Sequence, residues 1–218
     1  MPKIPVYMMP GLAACPTIFE RISLPEADFE IFLLEWEIPI GNEKLTDYAK
    51  RMAKKVVHNQ PVLIGVSFGG ILVQEMANFL DPKKIIIISS VKNNKEFPLK
   101  MKVAKTTKAY KLIPTALLVN VDGLAKFSFG ETVKQRIKLY EKYLSMRDKR
   151  YLDWAIEQVV CWERTVTDNK VIHIHGDADD VFPLRHISKA IVIKGGTHIM
   201  ILNKFKWLNE HLPGIIEN

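Results

Sequence analysis

Short apolar runs alternate with amphipathic stretches along most of this 218-residue chain. The runs typical of β-strands cover residues 4–9, 29–36, 62–67, 84–90, 171–176 and 190–195. Helix-like spacing of apolar residues follows three of them, at 45–57, 68–80 and 200–212. Such alternation is typical of an α/β fold, in which helices flank a largely parallel sheet. We therefore predict six strands, and the four isoleucines at 85–88 predict a central strand buried on both faces.

The alternation is interrupted between Ser90 and Lys170. Residues 92–168 show helix-like periodicity, clearest over 131–162, and they lack a strand signal of comparable strength. We predict a single domain over residues 1–218 that carries a helical insertion at 92–168.

The charge distribution adds one hypothesis about partners. The net charge is +7, and residues 92–111 hold seven lysines against one glutamate. Such a segment is either a solvated face or a surface that attracts an anionic group. No motif typical of nucleic-acid binding accompanies it, so we expect no nucleic-acid partner.

Cysteine content and hydropathy predict a cytoplasmic protein. Cys15 and Cys161 have no recognisable disulfide spacing and are expected to be free thiols. No apolar run approaches the ~18 residues of a membrane-spanning helix. The N-terminal residues contain too short an apolar run and too many prolines for a signal peptide.

The third apolar run ends in the motif GVSFGG, residues 65–70, and leads directly into a helical pattern. A G-x-S-x-G motif between a buried strand and a helix is typical of a nucleophilic serine on a sharp turn. The glycines at 65 and 69 would allow strand and helix to approach closely. Ser67 is then the candidate nucleophile, and the N–H of Phe68 is a candidate oxyanion donor. The alternative is a glycine-rich turn in which the serine only caps the helix.

A second oxyanion donor and a general base for Ser67 must lie on loops at the carboxyl-terminal edge of the sheet. The motif PGL follows the first strand and predicts the N–H of Leu12 as the second oxyanion donor, unless it is an ordinary Pro-Gly turn. His198 follows the last strand in the motif GGTH, which suits a general base. His173 and His175 lie inside a predicted strand and are expected to be packed or hydrogen-bonded. His186 remains a less suitable alternative base.

A metal site is the rival interpretation of the segment VIHIHGDADDVFP, residues 171–183. His173, His175 and Asp177 resemble the H-x-H-x-D start of a binuclear metallohydrolase motif. That motif continues with a histidine, whereas this chain has Ala178, and its metal loop lies early in the chain rather than late. The metallohydrolase is therefore the less favoured alternative.

Four short motifs together resemble the α/β-hydrolase superfamily. They are PGL, GVSFGG, HGDADDVFP and GGTH, and the order serine, aspartate, histidine is the nucleophile–acid–base order of that family. The resemblance covers the two flanks, about two-thirds of the chain, and 92–168 occupies the place of the family's variable cap. It implies a compact six-stranded, mainly parallel sheet flanked by helices, with a helical cap or lid.

The resemblance also ranks the aspartates. Family members often have H-G-x-x-D, then one spacer residue, two apolar residues and a proline. Counting from Gly176 makes Asp179 the acid and Asp180 the spacer, followed by apolar residues 181–182 and a proline. The family's spacer is often basic, so Asp180 stays a rival, and Asp177 is a third possibility.

The resemblance implies a serine hydrolase that cleaves a carboxylic ester or thioester through an acyl-enzyme, without a metal or organic cofactor. The substrate would be a small acyl compound, and the lysine-rich segment raises the hypothesis of an anionic leaving group such as coenzyme A. The alternative is a non-catalytic member that binds a small molecule in the same pocket. The candidates to line an acyl pocket within the insertion are Met101, Tyr110, Leu112, Phe127, Phe129, Trp154 and Trp162. The alternative is that most of these side chains only pack the insertion on the core.

Overall fold

The computed structural model describes residues 2–115 and 142–218. In these residues the strands are β1 (Ile4–Met9), β2 (Phe29–Leu33), β3 (Val62–Val66), β4 (Lys84–Ile88), β5 (Val171–Gly176) and β6 (Ile191–Ile193). The α-helices are α1 (Leu45–Ala53), α2 (Phe68–Met76), α3 (Leu99–Thr107), α4 (Lys149–Val160), α5 (Met200–Asn203) and α6 (Phe205–Glu217).

The strands form one parallel sheet in the order β2-β1-β3-β4-β5-β6. From β1 the chain moves outward to β2 and then returns to the other side of β1 as β3. The loops after β1 and β3 therefore diverge, which marks the switch point where α/β sheets bind ligands at the carboxyl ends of their strands. The predicted six-stranded α/β sheet is confirmed.

Alternate residues of the central strands face two separate apolar cores. Ile85 and Ile87 of β4 point into the core that includes α1, α2 and α4, whereas Ile86 and Ile88 face the core of α5 and α6. All four isoleucine side chains are fully buried, as predicted for a central strand. The cores on both faces hold the strand ends in place, and the loops at those ends carry the polar motifs.

The second strand is shorter than its apolar pattern predicts. Pairing with β1 ends at Leu33, although the pattern continues to Trp36. Leu34 and Trp36 are still buried because they pack on the core after the chain has left the sheet. The last predicted helix is likewise divided into α5 and α6, separated by Lys204.

The region between β4 and β5 adds no strand to the sheet in its described residues. It contains α3 and α4, and α4 buries one stripe of its surface: Tyr151, Leu152, Trp154, Ala155, Val159 and Val160. The helix predicted over 131–162 corresponds, in its second half, to α4. Residues 116–141 lie outside the described residues. In the part of the chain that the structure describes, no helix is long and apolar enough to cross a membrane.

The end of β5 lies in direct backbone contact with the loop after β6. A Cβ atom at Gly176 would lie 2.0 Å from the carbonyl oxygen of Gly196. Only glycine at position 176 fits this approach without moving one of the two loops.

Gly176→Ala should therefore destabilise the protein, by about 1–3 kcal/mol, because the added methyl group overpacks against backbone that cannot rotate away. The matched control is Gly214→Ala in α6, where a Cβ would meet no atom within 4 Å. Alanine in that helix should be neutral or slightly stabilising. Urea unfolding measures both; equal midpoints for Gly176→Ala and the wild type would contradict the contact.

Candidate active site

Ser67 forms a strained turn between β3 and α2. Its backbone has φ 52° and ψ −118°, a region that non-glycine residues rarely adopt and that costs about 1–3 kcal/mol. A Cβ at Gly65 would lie 2.3 Å from the Gly69 carbonyl oxygen, and a Cβ at Gly69 would lie 2.4 Å from the carbonyls of both Met9 and Pro10. The two glycines predicted to permit the close approach of strand and helix are thus required by backbone contacts.

Hydrogen bonds from the neighbouring strand hold this turn. The N–H of Ser67 donates to the carbonyl of Ile88 at 2.9 Å. The hydroxyl of Ser90 donates to the Ser67 carbonyl at 2.7 Å. Because both partners lie at the end of β4, the strained conformation is fixed by the sheet rather than by the loop alone.

Ser67, His198 and Asp179 form a continuous hydrogen-bonded line. The distance from Ser67 Oγ to His198 Nε2 is 2.9 Å, and that from His198 Nδ1 to Asp179 Oδ2 is also 2.9 Å. A carboxylate only accepts, so the Nδ1 of a neutral ring carries the proton and Nε2 accepts from the serine hydroxyl. The structure therefore brings together the three residues that the motifs selected, across 131 positions of sequence between serine and histidine.

Of the three clustered aspartates, only Asp179 contacts His198. Its side chain is buried, and Oδ1 accepts hydrogen bonds from the N–H groups of Val181 and Phe182 at 2.8 and 2.9 Å. Burial opposes its ionisation, but hydrogen bonds and the nearby imidazole of His198 outweigh burial and lower the pKa of Asp179. This carboxylate is thus held charged and oriented toward the imidazole.

The other two aspartates have different surroundings. Asp180 is exposed at the surface. The Oδ1 of Asp177 accepts a hydrogen bond at 2.6 Å from the N–H of Gly195, in the loop after β6. Asp177 therefore links the two loops that carry Asp179 and His198.

Comparison with solved structures identifies the architecture. A hydrolase from Oleispira antarctica matches with a TM-score of 0.72 and 11% identity, over 100% of this chain and 92% of that chain. A bromoperoxidase from Bacillus anthracis matches with a TM-score of 0.68 and 17% identity, over 100% and 93%. An esterase from Exiguobacterium antarcticum matches with a TM-score of 0.65 and 17% identity, over 99% and 92%. No protein-family model and no curated protein matches the sequence.

The chain has the α/β-hydrolase fold. Ser67 lies at the switch point of this sheet, where the loops after β1 and β3 leave in opposite directions. At identities of 11–17%, the comparisons establish the fold alone.

His173 and His175 form a buried pair behind the acid loop. The Nε2–H of His175 donates to the carbonyl of Phe182 at 2.8 Å, which leaves Nδ1 to accept from His173 Nε2 at 3.1 Å. Burial lowers the pKa of His175 and places that of His173 well below its usual range, so both rings are neutral. They are packed and hydrogen-bonded, as predicted, and His175 additionally fixes the loop whose amides hold Asp179.

The loop after β1 lies beside the serine. A Cβ at Gly11 would be 3.5 Å from the Cβ of Ser67. Within this loop the N–H groups of Ala13, Ala14 and Cys15 all donate to protein acceptors. No acceptor in residues 2–115 or 142–218 binds the N–H of Leu12 or that of Phe68 at the start of α2.

A largely apolar pocket of about 620 Å³ opens onto Ser67 and His198. Its apolar walls come from the loop after β1, the segment before α4 and the start of α5: Leu12, Ala14, Ile18, Tyr143, Leu144, Ile199, Ile201 and Leu202. Tyr143 and Leu144 reach the site because the carbonyl of Tyr143 accepts from the N–H of Cys15 at 2.8 Å. No short sequence motif identifies Tyr143 and Leu144 as pocket residues. They reach the site only because their segment pairs with the distant loop after β1.

Five of the seven residues proposed for an acyl pocket lie outside the pocket at Ser67. Leu112 is 83% exposed, and the indole N–H groups of Trp154 and Trp162 donate to Glu43 and Glu75 in the body of the domain. Met101 and Tyr110 do not line the pocket either, and Phe127 and Phe129 fall outside the described residues. Met101, Trp154 and Trp162 pack on the core instead, as apolar residues on a helix more often do than face a ligand.

The lysine-rich segment does not line the pocket. Lys92 is buried and forms an ion pair with Glu96 at 3.4 Å, while Lys105 pairs with Glu163 at 3.0 Å. The ammonium group of Lys102 donates to the backbone carbonyl of Lys95 at 3.0 Å. The hypothesis of an anionic leaving group therefore stays a prediction without a contact in the described pocket.

The histidine pair predicts acid sensitivity. The folded protein resists protonation of His173, whereas the unfolded chain protonates it near pH 6.5, the usual value for the side chain. Stability is then complete above about pH 6.5 and falls below it, with His173 contributing a loss of at most about 1.4 kcal/mol per pH unit.

His173→Gln keeps an N–H donor for His175 but cannot titrate. Urea unfolding between about pH 7.5 and pH 5 should therefore show a smaller loss of stability in the variant than in the wild type. If the variant and the wild type lose the same stability between these pH values, protonation of His173 is not the cause of the acid sensitivity.

Proposed function

We propose that the protein is a serine hydrolase that cleaves carboxylic esters through an acyl-enzyme. The observation that carries the proposal is the hydrogen-bonded line from Ser67 through His198 to the buried Asp179, at 2.9 Å for each step. The line ends in a hydroxyl that faces an apolar pocket. The esterases among proteins of similar fold agree with this activity class.

In the proposed reaction the Oγ of Ser67 attacks the ester carbonyl while His198 Nε2 takes its proton. The carboxylate of Asp179 stabilises the resulting imidazolium through the Nδ1–H hydrogen bond. The N–H groups of Phe68 and Leu12 receive the oxyanion. His198 then protonates the departing alcohol, and a water molecule activated by the same imidazole releases the acid from the serine.

The pocket suggests which part of the substrate it holds. Its walls are mostly aliphatic, and Asp180 is the charged side chain at its edge among the described residues. An apolar acyl group therefore fits beside Ser67 better than an acid with a charged chain. A thioester of the same acid would present the same acyl group to this pocket. The ester and the thioester differ only in the leaving group.

Ser67→Ala should abolish labelling by a fluorophosphonate probe and turnover of simple acyl esters while leaving unfolding by urea nearly unchanged. Asp179→Asn should lower kcat by several orders of magnitude, since the imidazole loses its orienting carboxylate. The comparator is Asp180→Asn, which should stay within about ten-fold of the wild type because this side chain does not contact His198.

Two results would count against this assignment. Wild-type esterase activity in Ser67→Ala would exclude the nucleophile. Labelling of Ser67 without turnover of any acyl ester would instead favour a non-catalytic protein that binds a small molecule in this pocket.

Leu144→Ala should shift the preferred acyl chain toward greater length, since removal of the side chain deepens the pocket wall. Each additional buried methylene contributes about 0.8 kcal/mol, which is about four-fold in kcat/KM. Leu112→Ala is the matched control, because the same truncation falls at an exposed site outside the pocket. A chain-length profile of 4-nitrophenyl esters distinguishes them; the same shift in both variants would contradict the pocket assignment.

A further inference from the structure

We infer that Trp36 and Tyr151 are positioning residues for the oxyanion hole, an inference that rests on the proposed function. Neither residue lines the pocket at Ser67. Each instead forms a hydrogen bond with the backbone of a residue next to Leu12, whose N–H is the second proposed oxyanion donor.

The two hydrogen bonds bracket the donor. The indole N–H of Trp36 donates to the carbonyl of Gly11 at 2.7 Å. The hydroxyl of Tyr151 accepts from the N–H of Ala13 at 3.2 Å. The residues immediately before and after Leu12 are thus each tied to a buried aromatic side chain, which sets the direction of the Leu12 amide.

This loop needs such support because its backbone is strained. Ala13 has φ 61°, in the left-handed region that residues other than glycine rarely adopt. An unsupported loop of this kind would relax, and the N–H of Leu12 would turn away from the serine. The Tyr151 side chain is fully buried, so water cannot replace its hydroxyl without a local rearrangement.

The same aromatic side chains also contact the residue that carries the first donor. The ring of Phe68 stacks on Trp36 with a centroid distance of 4.7 Å and an interplanar angle of 10°. The Trp36 ring in turn packs against Tyr151 at 5.5 Å. One buried cluster, formed by Trp36, Phe68 and Tyr151, therefore connects the two backbone donors, and the spacing between the donors depends on how it packs.

Tyr151 belongs to α4, within the 92–168 segment that sequence analysis assigned to a cap. A second contact from the same segment reaches the loop, since the N–H of Met146 donates to the Ala13 carbonyl at 3.1 Å. The described part of this segment therefore shapes the proposed oxyanion hole as well as the pocket wall.

The test compares Tyr151→Phe with Tyr48→Phe. Both residues are buried tyrosines in neighbouring positions, and each substitution removes one hydroxyl and keeps the ring. The hydroxyl of Tyr48 binds the backbone of Glu37 and makes no contact with the loop after β1. Loss of stability is thus expected in both variants, but a catalytic effect is expected in only one.

Tyr151→Phe should lower kcat by roughly 10–100-fold with KM little changed, because a misplaced donor is felt in the transition state more than in the bound substrate. Binding of a trifluoromethyl ketone, whose adduct with Ser67 carries an oxyanion, should weaken by a similar factor. Tyr48→Phe should keep both values within about two-fold.

The outcomes separate the two proposals. Equal kcat values in Tyr151→Phe and Tyr48→Phe, with Ser67 labelled by fluorophosphonate in both, would overturn the positioning role and leave the serine hydrolase intact. If the wild type is neither labelled nor active, the proposed function fails. The amide NMR resonance of Leu12 then still reports the loop, since Leu12 makes no hydrogen bond to the Tyr151 hydroxyl: a shift in Tyr151→Phe and none in Tyr48→Phe supports the positioning, and an unchanged resonance overturns it.

Discussion

The contact between the first turn of α2 and the end of β1 is the constraint on which the candidate site depends. At Gly69 two main chains meet without a side chain between them, because the carbonyls of Met9 and Pro10 occupy the space of a Cβ. This approach places the strained turn of Ser67 against the loop that carries Leu12. A larger residue at position 69 would separate the helix from that loop, so a backbone contact sets how closely the nucleophile and the loop approach each other.

The acid and the base are brought together by the same physical means. Gly176 and Gly196 touch through their main chains, and Asp177 bonds across the two loops to Gly195. Asp179 lies three residues after the first of these glycines, and His198 lies two residues after the second. Because Asp179 and His198 each lie within three residues of this contact, the contact fixes the distance between the carboxylate and the imidazole. Side-chain rotation can change that distance only slightly.

Much of this arrangement could be predicted because it depends on local sequence. The isoleucine run of β4, the glycines around Ser67 and the spacing from Gly176 to Asp179 each act within a few residues. The pocket wall could not be found that way, since Leu144 reaches the site through a pairing with the loop after β1 that no local pattern encodes. Trp36 was interpreted as the end of a strand. An apolar residue in the sequence indicates burial, but it does not distinguish a strand residue from one that is buried because it supports a loop.

The supports of the serine turn also bear on the order in which the fold can form. Ser67 is held by contacts from Met9, Ile88 and Ser90, all of which lie in the first ninety residues of the chain. Asp179 and His198 arrive with β5 and β6, after the long 92–168 segment, and contacts between such distant positions form slowly. During synthesis, the ribosome therefore releases the residues that form the serine turn well before the imidazole that contacts it has emerged.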